Sequence, residues 1–186
     1  EGWPMTTVDL SDLKVQEAEK ETTASLVRGV LAQLAQGGYE VTGFDMYAVS
    51  SVLPGSGLSS SAACEVLLGT AGNHLFCGDA YDAVTIARIG QKAENIYFGK
   101  PSGLMDQTAS SVGDTVAIDF ANPEAPVVRP IEANLEGLGL ALCIIDCGAD
   151  HAALTGEYAS IPQEMCQVAA YFGKKVLREV NEADVL

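Results

Sequence analysis

A run of small, uncharged residues limits most strongly what this chain can fold into. Residues 62–76 are rich in Ala, Gly and Leu and carry very little charge, which predicts a helix buried on most sides. Such a helix needs other elements packed around it. The chain is apolar enough to form them, because 48% of its residues are hydrophobic and only 19% are charged. This balance excludes intrinsic disorder.

The elements around this helix are predicted to be mixed. Apolar residues at helical spacing between Leu26 and Leu34 predict a helix that starts near Thr22 and stops at Gly37-Gly38. The other predicted helices cover residues 80–97, 104–110 and 162–177, and the predicted strands cover 44–49, 115–120 and 138–146. The irregular order of strands and helices indicates an α+β fold.

The charge of the chain limits its partners. Its 186 residues include 10 Lys+Arg and 25 Asp+Glu, a formal net charge of −15. This charge argues against nucleic acid and against an anionic membrane surface as partners. We also expect no membrane-spanning helix and no signal peptide. The reduced thiols expected of the cysteines indicate a cytoplasmic protein. The length suits one domain, or one domain and part of a second.

Five cysteines, an odd number at irregular spacing, predict reduced and mostly buried thiols. Cys143 and Cys147 could form half of a zinc site. We expect no zinc, because the sequence has no second cysteine pair and its two histidines, His74 and His151, are isolated.

A glycine–serine loop is the first chemical signal. It links the predicted strand at 44–49 to the apolar helix. Its glycines let a ligand approach the backbone closely, and the positive end of the following helix attracts anions. The loop can therefore hold phosphate without a basic side chain, although a plain turn with a serine cap is the alternative. Its candidate residues are Gly55, Ser56, Gly57, Leu58, Ser59, Ser60 and Ser61.

Two acidic residues, Glu94 and Asp106, are the second signal. Asp106 lies in an apolar Gly-Leu-Met stretch, so its burial would require a partner. In phosphoryl transfer such a carboxylate can accept or orient the proton of a hydroxyl. Glu94 and a serine hydroxyl could hold Mg²⁺. Alternatively, Glu94 is a solvated helix residue and Asp106 a charge at a helix N-terminus.

Together these segments resemble the GHMP kinase superfamily, and within it the galactokinases. The resemblance rests on the Pro/Gly/Ser loop and on later segments that cover most of the chain. The matching segments are Pro54–Ala62, Gly90–Asn95, Gly103–Gln107, Ile144–Asp146 and Thr155–Tyr158, with a weaker likeness at Arg28–Val30.

The resemblance implies a role for each matching position. The loop residues would cradle the phosphates of ATP, and Ser61 and Glu94 would hold Mg²⁺. Asp106 would be the catalytic base, or would orient the anomeric hydroxyl of galactose. Gly103, Asp106 and Tyr158 would line the galactose site.

The resemblance also implies an arrangement of domains. Residues 1–135 would be the second part of a ribosomal-protein-S5-like domain that binds ATP and sugar, and residues 136–186 would begin a second α+β domain. The family's first and last motifs are not found, so we expect an internal fragment that is inactive alone and prone to self-association. The alternatives are a kinase for another sugar and a non-catalytic sugar- or nucleotide-binding sensor.

Overall fold

Four helices and an extension of the third form the packed part of the protein. A computed structural model of the chain describes residues 5–52, 57–145 and 155–185. The four helices are α1 (Thr23–Gln36), α2 (Ser60–Cys77), α3 (Ala83–Lys92) and α4 (Met105–Val112), and α3 continues as a π-helical stretch over Ala93–Phe98. The predicted helices at 22–37, 62–76, 80–97 and 104–110 are confirmed to within a few residues.

The apolar core lies between α1, α2 and the long α3 segment. Val30, Leu31 and Leu34 of α1 pack with Leu68 of α2 and Ile89 of α3. The prediction that α2 is buried on most sides was too strong. Two of its leucines, Leu67 and Leu75, are about half exposed.

The segment before α1 is fastened to the core by a buried arginine. Arg28 donates two 2.7 Å hydrogen bonds to the Glu19 carboxylate and further hydrogen bonds to the carbonyl oxygens of Asp9 and Asp12. The Tyr97 hydroxyl donates to the carbonyl of Leu13 at 3.0 Å. Residues 9–19 are therefore held against α1 by polar contacts.

One antiparallel pair of strands follows α4. Strand β1 (Val116–Asp119) pairs with β2 (Val127–Pro130), with Val116 opposite Pro130 and Asp119 opposite Val127. The strand predicted at 115–120 is confirmed, whereas β2 was not predicted. Helices with a small sheet make the architecture α+β, as predicted.

Two predicted strands are wrong for the residues that the structure describes. Residues 44–49 and 138–145 form no ladder there, although Glu136–Leu138 makes a 3₁₀ turn. Apolar composition alone does not make a strand, because each strand needs a partner for its backbone hydrogen bonds. Phe44 packs on Phe76 instead, and Tyr47 and Ile145 are exposed. Residue 146 lies outside the described residues.

The last long helix starts earlier than predicted. Helix α5 (Thr155–Tyr171) includes Pro162, which the sequence placed at a helix start, and it ends just before Gly173, whose φ is +68°. A short α6 (Glu182–Val185) follows. None of the described helices combines the length and apolarity that crossing a bilayer requires. The division at 135/136 stays a prediction.

The cysteines differ from the prediction of mostly buried thiols. Cys77 is buried and Cys64 is partly buried, but Cys143 and Cys166 are exposed. All four are free thiols, and Cys147 lies outside the described residues. The burial prediction failed for Cys143 because its apolar neighbours, such as Leu142 and Ile144, are themselves exposed.

Candidate active site

Ser61 and Glu94 meet where the start of α2 faces the end of the α3 segment. The Ser61 hydroxyl donates a 2.9 Å hydrogen bond to Glu94 Oε1. The Glu94 side chain is only 2% exposed, so it is not the solvated helix residue of the alternative interpretation. The structure thus brings together the two residues that the sequence proposed as a metal pair.

A π-helical turn and a loop hold Glu94 from the other side. After the π-helical stretch, Gly99 adopts a φ of +93°, which a residue with a side chain rarely adopts. The N–H groups of Gly99 and Lys100 both donate to the Glu94 carbonyl, at 2.9 and 3.2 Å. The Lys100 ammonium lies 3.2 Å from Glu94 Oε1.

Gln107 of α4 joins two buried carboxyl groups. Its Nε2 lies 3.0 Å from Glu94 Oε2 and 3.0 Å from Glu65 Oε2, and it donates to both. All three side chains are almost completely buried. We call Ser61, Glu65, Glu94 and Gln107 the buried polar cluster. It connects α2, the α3 extension and α4.

Sequence reasoning missed Glu65 and did not give Gln107 a role. The sequence did contain a signal for Glu65, because it is an acidic residue within the otherwise uncharged stretch of α2. A carboxyl on a helix predicted to be buried requires a polar partner. The partner could not be found from the sequence, because Gln107 lies 42 positions further along the chain.

The surroundings of Glu65 favour its neutral form. Burial, together with the nearby charge of Glu94, raises the pKa of Glu65 to about 8, although the Gln107 hydrogen bond and the Lys100 charge act in the opposite direction. Glu65 Oε1 and Gln107 Oε1 are buried and have no hydrogen-bond partner among the described residues. At neutral pH the Glu65 carboxyl is therefore in its protonated form.

Gly90 lets α3 approach this cluster. A Cβ atom at Gly90 would lie 3.0 Å from the Glu65 Cβ and 3.2 Å from Glu65 Oε2. Both distances are tighter than ordinary side-chain contacts, so a Cβ at this position would require Glu65 to shift by a few tenths of an ångström. The glycine is therefore a packing requirement of the cluster.

Asp106 is exposed, so it does not need the partner that burial among its apolar sequence neighbours would have required. It lies exposed in the first turn of α4, next to the buried Gln107. It is close enough for its charge to contribute to the raised pKa of Glu65. Its apolar neighbour Leu104 takes the buried position instead. An exposed carboxylate beside the cluster can reach a bound molecule without breaking an internal contact.

The glycine–serine loop is described only in part. Gly55 and Ser56 lie outside the described residues. Gly57 has a φ of +74° and Ser59, the N-cap of α2, a φ of +59°, while Ser60 and Ser61 form the first turn. The loop therefore ends at a helix N-terminus, which attracts anions.

The two residues proposed for sugar binding have different surroundings. Gly103 precedes α4 in an exposed loop, and the space where a Cβ would stand is open to at least 4 Å. Tyr158 lies on α5 and is 50% exposed. The buried polar cluster is built by α2, the α3 extension and α4, so the place of Tyr158 in a sugar site stays a prediction.

Comparison with known proteins identifies a family match over the part of the chain that forms this site. The sequence pattern described as "GHMP kinases N terminal domain" matches residues 25–114, which include α1 from its third residue, all of α2 to α4 and the whole buried polar cluster. Residues 25–114 belong to the GHMP kinase family. The resemblance read from the loop and from the Glu94 and Asp106 segments is thereby confirmed.

Several galactokinases are similar to this chain. The galactokinase of Streptomyces coelicolor is 38% identical over 84% of this chain and 40% of its own length. That of Streptomyces lividans is 35% identical over 96% of this chain and 44% of its own length. That of Mycobacterium tuberculosis is 35% identical over 86% of this chain and 44% of its own length. The chain thus spans about two fifths of the length of these relatives.

Proposed function

We propose that the protein containing these residues is a galactokinase, which transfers a phosphoryl group from ATP to the anomeric hydroxyl of galactose. The observation that carries this proposal is the Ser61–Glu94 hydrogen bond at the N-terminus of α2, with exposed Asp106 one helix away. The similarity to galactokinases supports the choice of galactose as acceptor.

In this proposal, residues Gly55–Ser61 bind the phosphates of ATP. The N-terminus of α2 and the backbone N–H groups of the loop supply the positive field. This suits a chain with few basic residues, because the helix end attracts phosphate without a lysine or arginine.

Ser61 and Glu94 are suitable ligands for Mg²⁺. They offer a hydroxyl and a carboxylate oxygen, the hard donors that Mg²⁺ prefers, and Glu94 Oε1 already attracts the Lys100 ammonium. The described residues contain no group of three or more His, Cys, Asp or Glu side chains able to hold a metal ion. Phosphate and water would therefore complete the coordination. When bound, Mg²⁺ would neutralise negative charge on the phosphates of ATP.

Asp106 is proposed to accept or orient the proton of the sugar hydroxyl. It is exposed, so it can reach the acceptor, and Gln107 beside it is anchored in the buried polar cluster. This anchor fixes the start of α4 and limits the positions that Asp106 can take. Gly103 and Tyr158 are proposed to line the sugar site.

Three further properties are proposed with this function. The protein is cytoplasmic, and residues 136–186 begin a second domain. The chain also self-associates, because apolar side chains of α5 such as Ile161, Val168 and Tyr171 are exposed. Light scattering over a concentration series tests the self-association.

The deciding experiment measures ADP release from Mg-ATP with galactose and with a panel of other sugars, for this chain and for the full-length protein. Galactose-dependent release supports the proposal. Preferential phosphorylation of another sugar would show that the protein is a kinase for that sugar instead. Binding of sugar and nucleotide without ADP release by the full-length protein would instead indicate a non-catalytic sensor.

A further inference from the structure

We propose that Lys100 is an internal counter-ion that occupies the cation position of the Ser61–Glu94 pair and must leave it before a divalent metal binds. This inference deepens the proposed function and rests on it, because it concerns the same metal pair. It assigns a role to Lys100, which has none in the functions proposed for the glycine–serine loop and for Glu94 and Asp106.

The two side chains of the Lys100–Glu94 ion pair differ in their exposure to solvent. Lys100 Nζ lies 3.2 Å from Glu94 Oε1, the same oxygen that accepts the Ser61 hydrogen bond. The Lys100 side chain is 45% exposed, whereas the Glu94 side chain is 2% exposed. The ammonium thus approaches the carboxylate from the solvent side, where an incoming cation would also approach.

The loop that carries Lys100 is fixed, so the proximity is built into the fold. The Lys100 N–H donates to the Glu94 carbonyl. Two residues further on, the Ser102 N–H and hydroxyl donate to Asn95 Oδ1 at 2.7 and 3.0 Å, and the Ser102 carbonyl accepts a 3.1 Å hydrogen bond from Gln91. With the backbone fastened on both sides, the lysine side chain is the part that can move.

The local charge explains why a cation is held there. The Glu94 side chain is buried, and the Lys100 ammonium is the cation that the structure places against it. An unpaired buried carboxylate would be costly, and Lys100 lowers that cost. A metal on Glu94 Oε1 would do the same more strongly.

The ammonium and a divalent metal cannot both lie on one oxygen at low cost. Mg²⁺ binds carboxylate oxygens at about 2.1 Å, so a Lys100 ammonium left in place would face it at short range with like charge. Metal binding therefore requires the Lys100 side chain to swing into solvent. This displacement lowers the metal affinity of the site.

The test is a titration of the chain with Mn²⁺, followed by the electron paramagnetic resonance signal of free Mn²⁺. We expect Lys100→Met to bind Mn²⁺ about fivefold more tightly than the wild type, the upper end for a partly exposed ion pair. Lys92→Met is the matched control, since it removes one exposed lysine of the same segment that has no described contact with Glu94. It should change the affinity much less.

The outcomes separate this inference from the proposed function. If Lys92→Met tightens binding as much as Lys100→Met, the effect is general electrostatics and the inference is wrong. Equal binding by wild type and Lys100→Met, lost in Ser61→Ala and Glu94→Gln, would overturn only the role of Lys100. If neither wild type nor Lys100→Met binds Mn²⁺, even with a non-hydrolysable ATP analogue present to supply the phosphates, the metal pair is overturned as well.

Discussion

Ser61 and Glu94 are 33 positions apart in the chain, yet the Ser61 hydroxyl donates a 2.9 Å hydrogen bond to Glu94 Oε1. Helix α2 brings Ser61 to this point with its first turn, and the π-helical stretch after α3 brings Glu94. The other Glu94 oxygen is held by Gln107 from α4. One buried carboxylate thus links the three helical segments around which the candidate site is built.

Asp106→Asn should abolish turnover without weakening the fold. Asp106 is exposed, so its amide variant should unfold at the same urea concentration as the wild type. If Asp106 accepts the hydroxyl proton, ADP release by the full-length protein should fall by at least about 10²-fold. Asp114→Asn, at another exposed aspartate, is the control and should keep full activity. Full activity of Asp106→Asn would contradict the assigned role.

Gln107→Ala should destabilise the protein by about 1–3 kcal/mol, because two buried carboxyl oxygens would lose their donor. Gln107→Glu should cost more, since it adds a third carboxyl to the buried polar cluster. Urea unfolding measures both effects. Gln36→Ala, at an exposed position on α1, should change stability by no more than about 0.5 kcal/mol. Equal stability of all three variants would mean that the cluster contributes nothing.

Glu65→Gln should change how stability depends on pH. The pKa of Glu65 is raised to about 8 in the folded protein, so its protonated form stabilises the fold fully below pH 4.5, and this stabilisation is lost as the pH rises through 8. The glutamine stays neutral throughout. The variant should therefore gain stability relative to the wild type between pH 5 and pH 9, by up to about 4 kcal/mol at 1.4 kcal/mol per pKa unit.

Urea unfolding at each pH gives the two stability profiles for this comparison. A constant difference between wild type and Glu65→Gln across the range would show that Glu65 has an ordinary pKa. The comparison uses differences because other carboxyl groups, such as Glu19 with its lowered pKa, affect both proteins alike.

Arg28→Met should be strongly destabilising. It would remove the bonds that hold Glu19 and the carbonyl groups of Asp9 and Asp12, and would leave Glu19 without its partner. We expect a loss of about 3 kcal/mol in the free energy of unfolding. The control is Arg178→Met. Arg178 also makes a double hydrogen bond to a carboxylate, that of Asp119, but both side chains are largely exposed, so little change is expected.

Gly90→Ala tests the close approach of α3 to Glu65. The new methyl group would stand 3.0 Å from the Glu65 Cβ, and overpacking of this kind costs about 1–3 kcal/mol, of which the higher helix propensity of alanine offsets up to about 1 kcal/mol. Gly43→Ala is a suitable control, because nothing lies within 4 Å of its added Cβ. If thermal denaturation shows the same midpoint for both variants, α2 and α3 can separate there at no cost.

The sequence by itself determined where α1 to α4 lie and the family to which residues 25–114 belong. Apolar spacing and the terminating Gly37 and Gly38 were enough to locate α1, because helix signals are local. The loop that ends at Ser61 and the segments around Glu94 and Asp106 were enough to identify the GHMP kinase resemblance. These signals depend on residues close together in the chain.

The tertiary structure alone decided the pairings. Residues 44–49 and 138–145 have strand-like composition, but a strand exists only where another strand accepts its hydrogen bonds. Likewise, only the packing of α2, the α3 extension and α4 puts Gln107 between Glu65 and Glu94 and leaves Asp106 exposed. Burial and partners depend on distant residues, and no local pattern contains them.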